Sequence, residues 1–234
     1  MAAVDLSGVQ TVLLAGAGSD DDYIRRAFAG PLRGVGAVVL APRPQPGHLI
    51  AGYLAALDDA ARSGRIAVGG VSIGAAVAAA WALANPGHAV AVLAALPAWT
   101  GDPATAPAAH AAHQSARRLR RDGLTAATMR MRASSPAWLA EELTRSWRRQ
   151  WPLLPDAMEE AAAYAAPSHA ELQRLVTPLG IVAAVDDPIH PLEVGVEWAA
   201  AAPRAALRTV TLEQIGADPA ALGAACLDAL NELD

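Results

Sequence analysis

The sequence predicts a three-layer α/β protein, in which helices cover both faces of a mostly parallel sheet of about six strands. Short apolar runs typical of buried strands alternate with helical segments in the first and last parts of the chain. Glycine- or proline-rich turns follow most of these runs. Hydrophobic residues make up 53% of the 234 positions and charged residues 18%, which is enough apolar material for a large core.

The elements follow from these patterns in chain order. The predicted strands are 11–15, 36–41, 65–69, 89–96, 179–185 and 206–212. The helices expected around them are 23–30, 48–62, 73–84, 191–202 and 218–233. Between the fourth and fifth strands the pattern becomes helix after helix, with prolines at the breaks. We therefore predict an α/β core formed by 1–96 and 176–234, and a helical cap insertion at 97–175.

Composition and charge exclude several classes of protein. The net charge of −5 and the absence of a recognisable module argue against a nucleic-acid binder. A single cysteine, Cys226, allows neither an internal disulfide nor a cysteine-rich metal site, and no other cluster predicts a metal. No basic region precedes the first apolar run, so we expect no secretory signal and a cytoplasmic protein. The uncharged stretch 66–101 is interrupted by glycines and by Asn85-Pro86-Gly87, which favours a buried core over a membrane span.

One motif carries the chemistry. Gly70-Val71-Ser72-Ile73-Gly74 matches G-x-S-x-G, and its setting matters more than its letters, because short motifs arise by chance. An apolar strand runs directly into the pentapeptide, and a helix of small residues runs directly out of it. A serine at such a strand-to-helix turn is presented at the carboxyl edge of the sheet as a nucleophile, and the flanking glycines avoid steric clashes.

These features make the chain resemble the α/β-hydrolase superfamily over nearly its whole length. The turn bearing Ser72 follows the third strand, the helical insertion follows the fourth, and Asp186-Asp187-Pro188 follows the strand after the insertion. The resemblance implies Asp187 as the catalytic acid, with Asp186 as the alternate. It also implies oxyanion donors in the backbone N–H groups of Ile73 and of Ala17 or its neighbour. It implies no cofactor.

The catalytic base departs from the family pattern, which places a histidine after the last strand. The segment 211–219 contains no histidine, and none occurs after His190. His190 is the best candidate because it lies three residues beyond Asp187 at the functional edge of the sheet. That loop usually supplies the outer member of a triad, so a direct approach to Ser72 is expected to need a shifted loop or a bridging water. His110 and His113, on one face of an insertion helix, are the alternatives.

Tryptophans of the insertion raise the question of a substrate pocket. Trp99 and Trp138, together with His110 and His113, are candidates to line an apolar acyl pocket, as are Trp147 and Trp151. Aromatic residues at helical spacing also form the internal packing of an insertion. Both interpretations are open on the sequence alone.

The function predicted from the residues and the resemblance together is hydrolysis of an ester, a thioester or a related small acyl compound through an acyl-enzyme on Ser72. The alternative is a protein of the same fold without ordinary hydrolytic activity, either a binding protein or a cyclase or lyase, because the usual histidine is missing. A dinucleotide site at Gly16-Ala17-Gly18 is disfavoured, since carboxylates follow where a pyrophosphate would bind. Oligomeric state is left open.

Overall fold

A single parallel sheet organises the molecule. The computed structural model describes residues 4–233 of the chain. Its strands are β1 Gln10–Leu14, β2 Val38–Leu40, β3 Ile66–Val71, β4 Ala89–Ala95, β5 Leu179–Ala184 and β6 Ala205–Val210. Every neighbouring pair is parallel, in the order β2-β1-β3-β4-β5-β6. The predicted fold class, a three-layer protein with a parallel sheet of about six strands, is confirmed.

Helices make up most of the remaining structure. They are α1 Asp21–Gly34, α2 Leu49–Ala61, α3 Ile73–Ala84, α4 Pro107–Ala133, α5 Ala137–Gln150, α6 Leu154–Ala162, α7 His169–Leu172, α8 Leu192–Ala201, α9 Leu212–Ala217 and α10 Ala220–Asn231. A short 3₁₀ helix, Pro103–Thr105, precedes α4, and α4 is broken at Gly123, where φ is 77° and ψ is 170°. Over residues 4–233, none of the helices combines the length and the apolar character needed to cross a bilayer.

The alternation of side chains along β1 shows how the sheet separates two cores. Val12 and Leu14 pack with α2, α3 and α8 on one face. Leu13, between them, packs with α1 and α10 on the other face. All three side chains are fully inaccessible to solvent. Because the strand is covered on both sides, it reads in the sequence as a continuous apolar run, as parallel strands do.

Strand β3 is longer than the sequence indicated. It continues past position 69 through Gly69 and Gly70 to Val71, all of them buried. The glycines are needed because neighbouring strands approach closely. A Cβ built on Gly69 would overlap the carbonyl oxygen of Leu93, and one built on Gly70 would overlap that of Leu14. The glycines therefore bring β3 to the edge of the sheet at close spacing instead of ending it early.

Between β4 and β5 the described residues form helices and connecting loops, with no strand. Part of this region has its own apolar cluster, centred on Leu119, Trp147 and Met158. Helix α6 also joins the main core, and the Glu160 carboxylate accepts the backbone N–H groups of Leu49 at 2.8 Å and Ile50 at 3.0 Å, capping α2. The division into a core and an insertion at 97–175 remains a prediction.

The segment after β6 contains a helix that the sequence patterns did not reveal. Helix α9 begins after Thr211, whose side chain accepts from the backbone N–H of Gln214 while Gln214 bonds back to the N–H of Thr211. This reciprocal capping box satisfies two backbone donors that a short helix would otherwise leave unpaired. In the family that this chain resembles, a catalytic histidine usually follows the last strand. Here the start of α9 lies at that position.

Candidate active site

Ser72 lies at a sharp bend between β3 and α3. Its backbone has φ 57° and ψ −118°, a region that residues with a side chain rarely adopt. Gly74 makes the bend possible, because a Cβ there would overlap the carbonyl oxygen of Leu14. Such backbone strain costs on the order of 1–3 kcal/mol and persists only where the surroundings impose it. Ser72 itself is half-buried, at the carboxyl end of a central strand.

His190 approaches Ser72 directly. Its Nε2 atom lies 3.0 Å from Ser72 Oγ, and its Nδ1 atom lies 2.7 Å from Asp187 Oδ2. An ionised Asp187 can only accept, so Nδ1 must carry a proton. Nε2 then has a free lone pair facing the serine hydroxyl. Of the two expected routes, a shifted loop or a bridging water, the water is not needed, because the contact is direct.

The loop reaches the serine because it folds back on itself. Asp187 Oδ1 accepts the backbone N–H of Ile189 at 2.8 Å, which closes a tight turn around Pro188. Pro191 then precedes α8, so the chain leaves the turn immediately after His190. Both carboxylate oxygens of Asp187 are thereby engaged, one by the loop backbone and one by the imidazole.

The environment keeps Asp187 ionised. Only 9% of its side chain is exposed, and burial alone would raise the pKa of the carboxyl. The hydrogen bond and positive charge of His190, together with backbone N–H groups of the loop, outweigh burial and hold the pKa of Asp187 below its ordinary value. This carboxylate therefore stabilises an imidazolium that forms beside it.

Asp186 has a different contact. Its Oδ1 atom accepts the backbone N–H of Leu212 at 2.8 Å, which ties the loop after β5 to the start of α9. The structure thus brings Asp187, and not Asp186, to the imidazole. The two side chains leave the turn in different directions, so the geometry favours Asp187 as the partner of His190.

The two backbone N–H groups expected to act as oxyanion donors belong to segments next to Ser72. That of Ile73 is at the first position of α3, where a helix offers no backbone acceptor. The loop containing Ala17 is adjacent, because a Cβ built on Gly16 would lie 3.5 Å from Ser72 Cβ. Ile73 is thus at a helix N-terminus next to the serine, and Ala17 is in a glycine-rich loop beside it; their role as oxyanion donors stays a prediction.

Comparisons identify the architecture. No protein-family model and no curated protein matches the chain. A solved carboxylesterase from Nitrososphaera gargenis matches with a TM-score of 0.72 and 15% identity, covering 91% of this chain and 85% of that one. A hydrolase from Pseudomonas aeruginosa matches with a TM-score of 0.66 and 20% identity, covering 94% and 89%. An enol-lactonase from Burkholderia xenovorans gives 0.65 and 18%, covering 88% and 84%. The chain has the α/β-hydrolase fold.

Within the α/β-hydrolase fold, this chain places its Asp and His together. Asp187 follows β5, at the turn that the resemblance assigned to the acid, and His190 follows it in the same loop. The turn after β6 contributes the backbone contact between Leu212 and Asp186 instead of a histidine. One loop thus presents both groups to the serine.

The proposed pocket residues do not come together, so that prediction is corrected. Trp99 is buried in the core on one face of the sheet and donates to the carbonyl oxygen of Tyr164 at 3.2 Å. Trp138 packs with the core on the opposite face. His110 and His113 are both exposed. The Nε2 atom of His110 lies 2.8 Å from the carbonyl oxygen of Ala104, just before α4. The reason is that the sheet separates the two tryptophans, while both histidines face solvent.

Sequence reasoning missed Gln150 next to the site, and it did not predict the contact that Trp147 makes there. Trp147 is buried against Gly18, and Gln150 bonds to the carbonyl oxygen of Ser19 at 2.8 Å. Both side chains belong to α5 and contact the loop that holds Ala17. The only signal in the sequence is a charge pattern, since Arg145 and Arg149 on one helix face match the acidic run beginning at Asp20.

Proposed function

We propose that this protein is a serine hydrolase that cleaves a small ester, thioester or related acyl compound through an acyl-enzyme on Ser72. The observation that carries the proposal is the 3.0 Å separation between Ser72 Oγ and His190 Nε2, with Asp187 bonded to the other ring nitrogen. A serine hydroxyl stays protonated near neutral pH, so it needs an adjacent base to become a nucleophile.

The steps follow from this arrangement. Ser72 Oγ attacks the substrate carbonyl carbon while its proton passes to His190 Nε2. The N–H groups of Ile73 and Ala17 donate to the oxyanion, and each such donor contributes about 3 kcal/mol to stabilisation of the transition state. His190 then gives its proton to the leaving group as the tetrahedral intermediate collapses to the acyl-enzyme. Water, deprotonated by His190, attacks the acyl carbon and releases the acid and the free serine.

The competing idea of a protein without hydrolytic activity depended on the absent histidine after the last strand. His190 fills that role from a different loop in the proposed mechanism. The solved structures of similar fold include proteins described as a carboxylesterase and an enol-lactonase, and this supports carbonyl chemistry for the present chain. We assign the site no cofactor.

A fluorophosphonate probe tests the proposal, because it reacts with an activated serine and mimics the tetrahedral intermediate. We expect labelling of the wild type, none for Ser72→Ala, and a labelling rate for His190→Ala lower by about 10³-fold or more. His113→Ala is the matched control, since it removes an exposed imidazole, and its rate should stay within about twofold of wild type.

Two results would overturn the proposal. One is labelling that persists in folded Ser72→Ala protein at the wild-type rate. The other is a wild type that neither reacts with large and small phosphonate probes nor hydrolyses short p-nitrophenyl esters. Circular dichroism on every variant separates loss of activity from loss of fold.

A further inference from the structure

Helix α5 lies directly on the loop that carries the proposed oxyanion donor Ala17. Gln150, at the end of the helix, is buried, and its Nε2 donates to the carbonyl oxygen of Ser19 at 2.8 Å and to Ser146 Oγ at 2.7 Å. The serine carbonyl belongs to a residue 131 positions earlier in the chain. A helix from the region between β4 and β5 thus holds the backbone two residues beyond Ala17.

The same helix closes over Gly18. A Cβ built on Gly18 would lie 2.9 Å from Trp147 Nε1 and 3.0 Å from Met158 Cε, and the glycine has φ +76°. Trp147 is 3% exposed, so its indole is fixed within the apolar cluster of α4, α5 and α6. The indole and the methionine methyl group therefore pack directly against the loop next to Ala17.

Ion pairs extend the contact between α5 and this loop to the start of α1. Asp20 is 3% exposed, caps α1 by accepting from the Tyr23 N–H at 3.0 Å, and pairs with Arg145 at 3.2 Å and Arg149 at 3.4 Å. The surrounding network contains four carboxylates and four guanidinium groups, so its formal charge is balanced; its members are Asp20, Asp21, Asp22, Glu142, Arg25, Arg26, Arg145 and Arg149. Buried charges require such pairing.

The inner side of the loop is fixed as well. The buried Tyr53 hydroxyl donates to the carbonyl oxygen of Ala15 at 3.0 Å, and Gly16 lies against Ser72. Ala17 is therefore held between a contact with the core at Ala15 and a contact with α5 at Ser19. Catalysis by an oxyanion donor depends on such fixed geometry, because a donor that must reorganise during the reaction loses most of its benefit.

We propose that Gln150 and Asp20 are positioning residues, through which α5 sets the place of the Ala17 N–H relative to Ser72. This inference rests on the proposed hydrolase function. It assigns to α5 a role in stabilising the transition state rather than in binding the substrate. Neither residue touches the reacting atoms; each acts through the backbone between Gly16 and Asp20.

The test compares Gln150→Glu with Arg148→Gln. The glutamate keeps the shape of the side chain but cannot donate to the Ser19 carbonyl when ionised, whereas Arg148 is an exposed residue of the same helix. For a p-nitrophenyl ester we expect Gln150→Glu to lower kcat by about 5- to 50-fold, less than the loss of a donor outright, with KM within about twofold. Arg148→Gln should match wild type in both constants.

A boronic acid inhibitor supplies the readout that a purely structural role would not move. It forms a tetrahedral adduct on the serine, so its affinity should fall in proportion to kcat in Gln150→Glu while KM stays constant. If Gln150→Glu does not fold, Asp20→Asn is used instead, because it keeps the cap acceptor and weakens the pairing with Arg145 and Arg149. It should show the same pattern with a smaller decrease.

The outcomes separate the two proposals. If the wild type is labelled at Ser72 but Gln150→Glu and Asp20→Asn keep the wild-type kcat and boronic acid affinity, the positioning role is overturned. The hydrolase function then stays in place. A rise in KM with kcat unchanged also overturns the positioning role. A wild type without labelling that depends on Ser72 overturns both.

Discussion

Asp187 Oδ2 and His190 Nδ1 lie 2.7 Å apart, within a stretch of four residues that follows β5. The acid and the base of the proposed triad therefore share one tight loop, and the position of each depends on the turn that joins them. The bond from the Ile189 N–H to Asp187 Oδ1 closes this turn. A change that opens the turn should disturb the orientation of the imidazole and the ionisation of the carboxylate together.

Substitution of the two neighbouring aspartates should separate their roles. In Asp187→Asn the amide no longer requires a proton on His190 Nδ1, so the imidazole loses the tautomer that accepts from serine, and kcat/KM should fall by about 10⁴-fold. In Asp186→Asn the side-chain oxygen still accepts from the Leu212 N–H, so kcat/KM should stay within about fivefold. Steady-state kinetics on a p-nitrophenyl ester measures both. A larger loss in Asp186→Asn would contradict the assignment.

The stability of the fold should depend on Asp187 in a particular pH range. Its pKa in the folded protein lies below the ordinary value of 3.8, mainly because the bond and charge of His190 outweigh burial. A carboxyl with a lowered folded pKa stabilises the fold above its unfolded pKa and loses this contribution as pH falls through the folded value. The difference in free energy of unfolding between wild type and Asp187→Asn should therefore shrink as the pH falls below about 4. Urea denaturation across this range measures it, and a difference that grows on acidification would refute it.

The bend at Ser72 should depend on the absence of a side chain at position 74. Gly74→Ala places a Cβ against the carbonyl oxygen of Leu14 in a packed backbone, so we expect a loss of about 3 kcal/mol or failure to fold. Gly34→Ala is the matched control, since that helical glycine has open space around it and should gain up to about 1 kcal/mol. Thermal and urea unfolding compare them. Equal stabilities would mean that α3 does not need the close approach.

Trp138 should matter for stability and not for substrate binding. It packs against Gly216 of α9 and the core of α1 and α10, on the face of the sheet opposite Trp99. Because the indole is half-buried, Trp138→Ala should lower the free energy of unfolding by about 2 kcal/mol while KM for a small ester stays within about twofold. A large rise in KM without loss of stability would restore Trp138 to a substrate pocket.

Much of the fold could be predicted from local patterns. The apolar runs that became β1, β4 and β5 are each buried on both faces, so their lack of alternation identified a parallel sheet. The G-x-S-x-G turn was recognisable because strand, bend and helix are encoded in adjacent residues. Helix α9 was missed because its stability comes from a capping box in a stretch with little apolar periodicity.

The site was only partly accessible from the sequence. Ser72, Asp187 and His190 could be selected by residue type and by their place at the ends of strands. The direct contact between His190 and Ser72 could not, because the two residues are 118 positions apart and the distance depends on how one loop folds over the sheet. The contact of Gln150 with Ser19 is equally remote in sequence, and no local pattern encodes it.

Because Asp187 and His190 are close along the chain, they can be exchanged together in protein engineering. In the proposed mechanism no reacting group comes from the chain beyond position 190, so the acid and the base form a single cassette between β5 and α8. Exchange of that one short loop would transplant or delete both proton-handling groups at once. A search pattern for similar enzymes should therefore place the histidine three residues after the aspartate.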